Sequence, residues 1–265
     1  PMPAIAELNI YPVKSLTGYA AAECELTRAG LRHDRRWMVV RADGEFLTQR
    51  THPQMALLQT EIRGGQLVLS GFGMDEHVVP AADDGMPRLK SRVWRDSVDA
   101  VELGVETAGW LSQALGEECK LVAFPGDRTR QCDRQYAREG EHTHFADGFP
   151  LLILSRASLE NLNAKLSEPV GMERFRANIV VDGCEPHAED AWTRMRANGA
   201  EIRLVKQCAR CSVPTVDPQT GILAGPEPIH TLSTYRDRGG EVLFGMNAVV
   251  EREGALRVGD EVEVT

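Results

Sequence analysis

Several features are scarce in this 265-residue chain, and each scarcity narrows the reading. No apolar run approaches the roughly 18–20 residues that span a bilayer. No charged segment followed by an apolar one opens the chain as a secretory leader would. A soluble, cytoplasmic protein without a membrane partner is therefore expected. Basic charge is short as well: 30 Lys and Arg stand against 39 Asp and Glu, a net charge of -9. The deficit holds on both sides of residue 115, with 12 bases against 15 acids before it and 18 against 24 after it. No nucleic-acid partner is expected, because such surfaces carry Lys and Arg in excess. Cysteine is dilute: Cys24, Cys119, Cys132, Cys184, Cys208 and Cys211 are not the framework of a short secreted fold. Low-complexity tracts and repeats at solenoid periods are also missing.

What is present is a succession of short β patterns. Residues 5–11 alternate, and 37–40 lead through Asp43-Gly44, a hairpin signal, into 46–48. Further apolar runs at 56–62, 67–69 and 98–103 are separated by Gly-bearing turns, which argues for a small barrel or sandwich. Residues 107–115 read as a helix with Ala108, Leu111, Ala114 and Leu115 on one stripe. The stretch 125–148 holds four Arg and little apolar content, and is expected to be a long surface loop or a linker. Beyond it, 151–154 is an apolar strand and Ser155 can cap a helix carrying Leu159, Leu162 and Leu166. Strands follow at 179–182, 201–206 and 242–250, and a closing run lies at 256–264. The fold class is mainly β with a few short helices. A chain of this size needs no disulfide or metal to hold a core.

Four sequence clusters could carry chemistry. Cys208-Ala-Arg-Cys211 admits a redox pair, half of a zinc knuckle, a single thiolate ligand, or two packed thiols. The proline-rich, β-branched run after it opens no helix, which argues against a thioredoxin-like pair. Only His142 and His144 could complete a zinc set. Arg210 between the cysteines favours a thiolate. Lys14-Ser15 at a strand end resembles half of a phosphate grip, but the glycine-rich cradle of a nucleotide site is absent. Arg32-His33-Asp34-Arg35-Arg36 and Arg174-Phe-Arg176-Ala-Asn178 each precede an apolar strand. Each could guard a strand edge. Together with Lys14 and Arg210 they could instead surround an anion between two β domains.

In combination these stretches resemble the MOSC superfamily, specifically proteins that join an N-terminal MOSC β-barrel domain to a MOSC domain. The matching motifs are Y-P-V-K-S at 11–15, D-R-x-W at 34–37, R-F-R-x-N-I-V-V at 174–181 and E-D-x-W at 189–192. C-x-R-C-x-x-x-T-V-D-P-x-T-G at 208–221, T-L-x-x-Y-R at 231–236, F-G-x-N at 244–247 and L-R-V-G-D at 256–260 complete the set.

The resemblance implies two domains, 1–115 and 118–265, each a β-barrel, sharing a cofactor cleft. It implies molybdenum cofactor (Mo-molybdopterin), with Cys211 as the metal ligand and catalytic residue. Lys14, Ser15 and Arg35 would hold the cofactor from the first domain, and Ser155, Arg176, Asn178, Arg210 and Asn247 from the second. The implied activity is reduction of small N-hydroxylated compounds at molybdenum; the alternative is a module that carries cofactor or sulfur. No four-cysteine ferredoxin-like segment follows the MOSC motifs, so electrons are expected from a separate redox protein. A monomer is expected.

Overall fold

The computed structural model describes residues 2–83 and 85–265. Strands dominate, with three α-helices among the described residues: α1 (Gly104–Leu115), α2 (Arg156–Asn163) and α3 (Ile229–Arg236). The larger sheet runs in the order Glu263–Val264, Arg194–Ala197, Ala200–Ala209, Glu241–Arg252, Leu151–Ser155, Ile179–Asp182, Ala4–Ile10 and Tyr19–Ala21. Pairing along it is antiparallel except between Leu151–Ser155 and Ile179–Asp182, whose crossover carries α2. A second sheet orders Arg88–Val93, Asp96–Glu102, Lys120–Ala123, Trp37–Val40 and Val13–Lys14.

Among the described residues, the expected closed barrels are not formed. The larger sheet ends on Glu263–Val264 and Tyr19–Ala21, strands of two and three residues. Stubs that short leave little backbone with which to join their edges in a ladder. Curvature comes instead from register shifts along Ala200–Ala209 and Glu241–Arg252, where extra residues bend the strands.

The two sheets exchange chain at the N-terminus. Ala4–Ile10 pairs with Ile179–Asp182, deep in the second half of the sequence. The chain then turns at Tyr11-Pro12, and Val13–Lys14 joins Trp37–Val40 in the other sheet. Glu23–Thr27 returns to pair with Gly254–Arg257. Lys14 and Ser15 therefore lie where the sheets meet. Each sheet has its own core: Ile5, Leu8, Ile153, Ile179, Val181 and Ile202 pack in one, and Val13, Leu16, Val39, Leu58, Leu111 and Leu121 in the other.

Local expectations are met in several places. Gly44 takes φ +83 in the Asp43-Gly44 turn, a conformation suited to glycine. The Ser155 side chain accepts from the Ser158 N–H at 3.1 Å and caps α2. Two readings need correction. Residues 53–57 form a 3-10 turn rather than the start of a strand, because Pro53 fixes φ at its first turn and the amides of Met55 and Leu58 bond back three residues. The stretch 125–148 is mostly irregular and is exposed at 126–129, 133–135 and 138–140, as a surface loop would be. It is no loose linker, though: Arg130, Cys132, Thr143 and Phe145 are buried in it. Arg130 organises it by donating to the carbonyls of His144, Ala146 and Asp147 and to the Asp96 carboxylate. No helix among the described residues is long and apolar enough to cross a membrane.

Candidate functional site

A cavity of about 150 Å³ lies between the two halves of the sequence. Its wall includes Lys14, Ser15 and Arg35 from the first half and Arg176, Asn178, Arg210, Cys211 and Asn247 from the second. Eight residues singled out from the sequence thus meet at one place. Ser155 does not: it is fully buried, spent on the cap of α2, and takes no part in the wall. A second cavity, of about 220 Å³, shares Arg176 and Val213 with the first.

Backbone conformation aims these side chains. Ser15, Arg35 and Arg176 have φ values of +68, +45 and +56. Non-glycine residues in that region carry a cost of roughly 1–3 kcal/mol each and persist where the surroundings over-determine them. Here the bracing is visible. The Arg35 guanidinium donates to both Asp34 oxygens at 2.9 and 2.7 Å, to Asn178 Oδ1 at 3.1 Å and to the Arg176 carbonyl at 3.2 Å. Asn178 also accepts from the Leu152 amide and donates to the Asn9 carbonyl, so it ties the parallel strand pair to the N-terminal strand. Both Arg35 and Arg176 lie against the Tyr11 ring, at 4.5 and 4.3 Å from its centroid. Burial pushes the Tyr11 hydroxyl up to about 12, so it stays neutral there.

The electrostatics are uneven. Lys14 Nζ donates to the Phe145 carbonyl at 2.9 Å and pairs with the Asp147 carboxylate. Burial lowers the Lys14 pKa, and Asp147 offsets only part of that. Desolvation acts to raise the pKa of Asp147, whose side chain is still largely exposed. Lys14, the Trp94 N–H and the Arg50 charge together more than reverse it and hold the carboxyl below its ordinary range. Arg35 is matched by Asp34. Arg176 and Arg210 have no carboxylate partner among the described residues. Arg176 Nη1 reaches the Leu16 carbonyl at 2.7 Å. Arg210 reaches the Phe175 carbonyl at 2.9 Å and Cys208 Sγ at 3.2 Å. Arg176 Nη2 and Arg210 Nε are buried without any partner. Buried donors on a cation are costly when unpaired. Burial, followed by repulsion from Arg35, pushes the Arg176 guanidinium down to about 10. The cavity wall therefore holds two cations without a carboxylate partner, each with one buried, unpaired donor, which suits an anion such as a phosphate ester.

The cysteines differ in setting. Cys211 is exposed at the cavity, while Cys208 is half-buried and engaged by Arg210. The loop behind Cys211 is fixed by Arg174, which donates to the carbonyls of Pro214 and Val216 and to Asp217. Arg174 thus braces the cysteine loop from behind. No cluster of three metal-ligating side chains occurs among the described residues, so the zinc reading of His142 and His144 has no support. The E-D-x-W and T-L-x-x-Y-R stretches serve each other: Asp190 pairs with Arg236 at 2.6 Å, and buried Glu189 accepts from the Ser155 amide and the Ser158 hydroxyl.

Asp147, Thr48 and Arg50 also border the cavity and were not anticipated. Asp147-Gly148 before a proline reads as a turn, and nothing in the local pattern ties it to Lys14, 133 positions away.

The donor set fits a pterin-bound molybdenum centre. A thiol at the cavity surface is a suitable soft ligand, and the unpaired guanidinium donors suit the anionic tail. The MOSC N-terminal beta barrel domain model matches residues 2–118, and the MOSC domain model matches residues 140–263. Mitochondrial amidoxime-reducing component 1 of Mus musculus is 36% identical over 275 residues, covering 97% of this chain and 81% of that protein. Component 1 of Homo sapiens is 34% identical over 275 residues, with 97% and 82% covered. Component 2 of Rattus norvegicus is 35% identical over 277 residues, with the same coverage as the human protein.

Proposed function

Because the chain belongs to the family that joins a MOSC N-terminal beta barrel domain to a MOSC domain, we propose that it is a molybdenum-dependent reductase of N-hydroxylated compounds, drawing electrons from a separate redox protein. The work is divided between domains at 1–115 and 118–265. The observation that carries the reading is that Arg176 and Arg210, whose Nη2 and Nε are buried without partners, line one cavity with the exposed Cys211. The names of the relatives, amidoxime-reducing components, supply the substrate class.

Cys211 is the residue to hold the metal, as thiolate; Arg176 and Arg210 take the phosphate of the cofactor with charge-assisted hydrogen bonds. Bound there, the molybdenum centre would supply the two-electron chemistry that removes oxygen from an N–OH group. The protein sets the geometry around it. Asn178 and Asp34 hold Arg35 in place through three hydrogen bonds. Ser15 and Asn247 border the cavity, the first fixed through its carbonyl by Gln49 at 2.7 Å. Reduction of N–OH to N–H with loss of water consumes two protons as well as two electrons. Lys14 holds a proton at Nζ, between the Phe145 carbonyl and Asp147, on the wall of the same cavity.

The test is metal analysis by mass spectrometry, then turnover of benzamidoxime with an artificial reductant. Molybdenum with turnover is expected. Molybdenum without turnover would favour the carrier reading, and zinc in its place would overturn both.

A further inference from the structure

Beside the cavity lies a feature that cofactor binding leaves unexplained. Trp94 sits in the turn between Arg88–Val93 and Asp96–Glu102, at φ +56 and with 44% of its surface exposed. That backbone conformation disfavours bulky side chains, so the indole is held there against a cost. Its contacts lead to the cavity. The indole N–H donates to Asp147 Oδ1 at 3.0 Å, and the ring meets Phe46 edge-on with centroids 5.4 Å apart. Arg50, part of the cavity wall, lays its guanidinium 4.3 Å from the indole centroid.

Beyond that stacking, the charge of Arg50 acts on Asp147 without forming an ion pair. Its side chain makes one long hydrogen bond, from Nε to Thr48 Oγ1 at 3.4 Å, and no ion pair among the described residues. Stacking occupies a face of the guanidinium and leaves the N–H groups along its edge available, the arrangement that forks a carboxylate. The nearby acid, Asp147, already serves Lys14 and Trp94. A flat indole thus stands at the cavity's edge beside a planar cationic fork that makes no ion pair among the described residues.

Resting on the reductase reading above, we propose that Arg50 and Trp94 select the substrate: a planar N-hydroxylated compound bearing a carboxylate, which the Arg50 fork binds while the planar body lies along Trp94.

The probes are benzamidoxime and 4-carboxybenzamidoxime, with kcat/KM measured for both on molybdenum-loaded protein. The wild type is expected to favour the carboxylated compound. Arg50→Gln should reduce that preference about 10- to 100-fold through KM, the worth of a charge-assisted carboxylate contact. Arg50→Lys should recover only part of it, because the fork is gone. An unchanged ratio in Arg50→Gln overturns the proposal. So does loss of bound molybdenum in that variant, which would assign Arg50 to the cofactor phosphate. If the loaded wild type reduces neither compound, the reductase reading fails, and equilibrium binding decides the present inference separately. Saturable quenching of Trp94 fluorescence by 4-carboxybenzamidoxime, identified by its loss in Trp94→Phe and weakened by Arg50→Gln, sustains it. Absence of that quenching in the wild type overturns it.

Discussion

Replacing Arg176 with Met tests whether the cavity is built for an anion or merely lined with structural arginines. Burial and the neighbouring Arg35 lower the Arg176 pKa to about 10. At neutral pH that depression corresponds to about 3 kcal/mol against the charged folded form. Two contacts oppose it. The bond from Nη1 to the Leu16 carbonyl is worth about 1.5–3 kcal/mol, as hydrogen bonds to charged groups go. Stacking on Tyr11 adds about 0.5–2 kcal/mol. The terms nearly cancel, so Arg176→Met should change the stability of anion-free protein by no more than about 1–2 kcal/mol. Breaking a buried ion pair would instead cost about 3–5 kcal/mol. The assay is urea unfolding at pH 7, repeated with inorganic phosphate. Phosphate at 100 times its Kd should stabilise the wild type by about 2.7 kcal/mol and the variant much less. The pH dependence has a definite sign. A base whose folded pKa is lowered carries its penalty fully below about pH 10 and loses it as pH rises towards the unfolded value. The difference between wild type and variant should therefore move in favour of the wild type above pH 10. A loss above about 3 kcal/mol, with equal phosphate stabilisation of both proteins, would refute the reasoning.

Three further outcomes are expected. Cys211→Ser should abolish molybdenum retention and Cys208→Ser should keep most of it, by metal analysis; equal loss would point to a dithiol site. Ser155→Ala should cost about 1 kcal/mol in denaturant unfolding through the lost cap, with bound molybdenum unchanged, since Ser155 lies off the cavity wall. Gly44→Ala should cost more than about 1 kcal/mol, since it combines φ +83 with a methyl group that would stand 2.0 Å from the Lys90 carbonyl oxygen. Thermal unfolding of the variant at wild-type temperature would show the last effect to be overestimated.

Local rules reached far along this chain because local forces decide many of its elements. The Asp43-Gly44 turn, the Ser155 cap, the helix ending at Leu115 and the strands at 151–155 and 179–182 follow from side-chain chemistry within a few positions. Motif order likewise pointed to Lys14, Arg35, Arg176, Asn178, Arg210 and Cys211, which meet at one cavity. Other features depended on partners distant in sequence. The stretch 125–148 looked polar and loose, yet Arg130 draws it inward because three carbonyls and Asp96 satisfy the guanidinium. Pairing of Ala4–Ile10 with Ile179–Asp182 and the contact of Lys14 with Asp147 have no local signature, since the energy that fixes them comes from groups more than a hundred residues apart. Arg174, bracing the cysteine loop, and Arg50 on Trp94 also find partners too far along the chain to leave a local signature. Composition and motif order determined a mainly β chain and singled out one cysteine with several basic residues as its candidate site. Only the folded arrangement decided which cations are matched by carboxylates and which keep donors unpaired, because that depends on burial and distance in three dimensions.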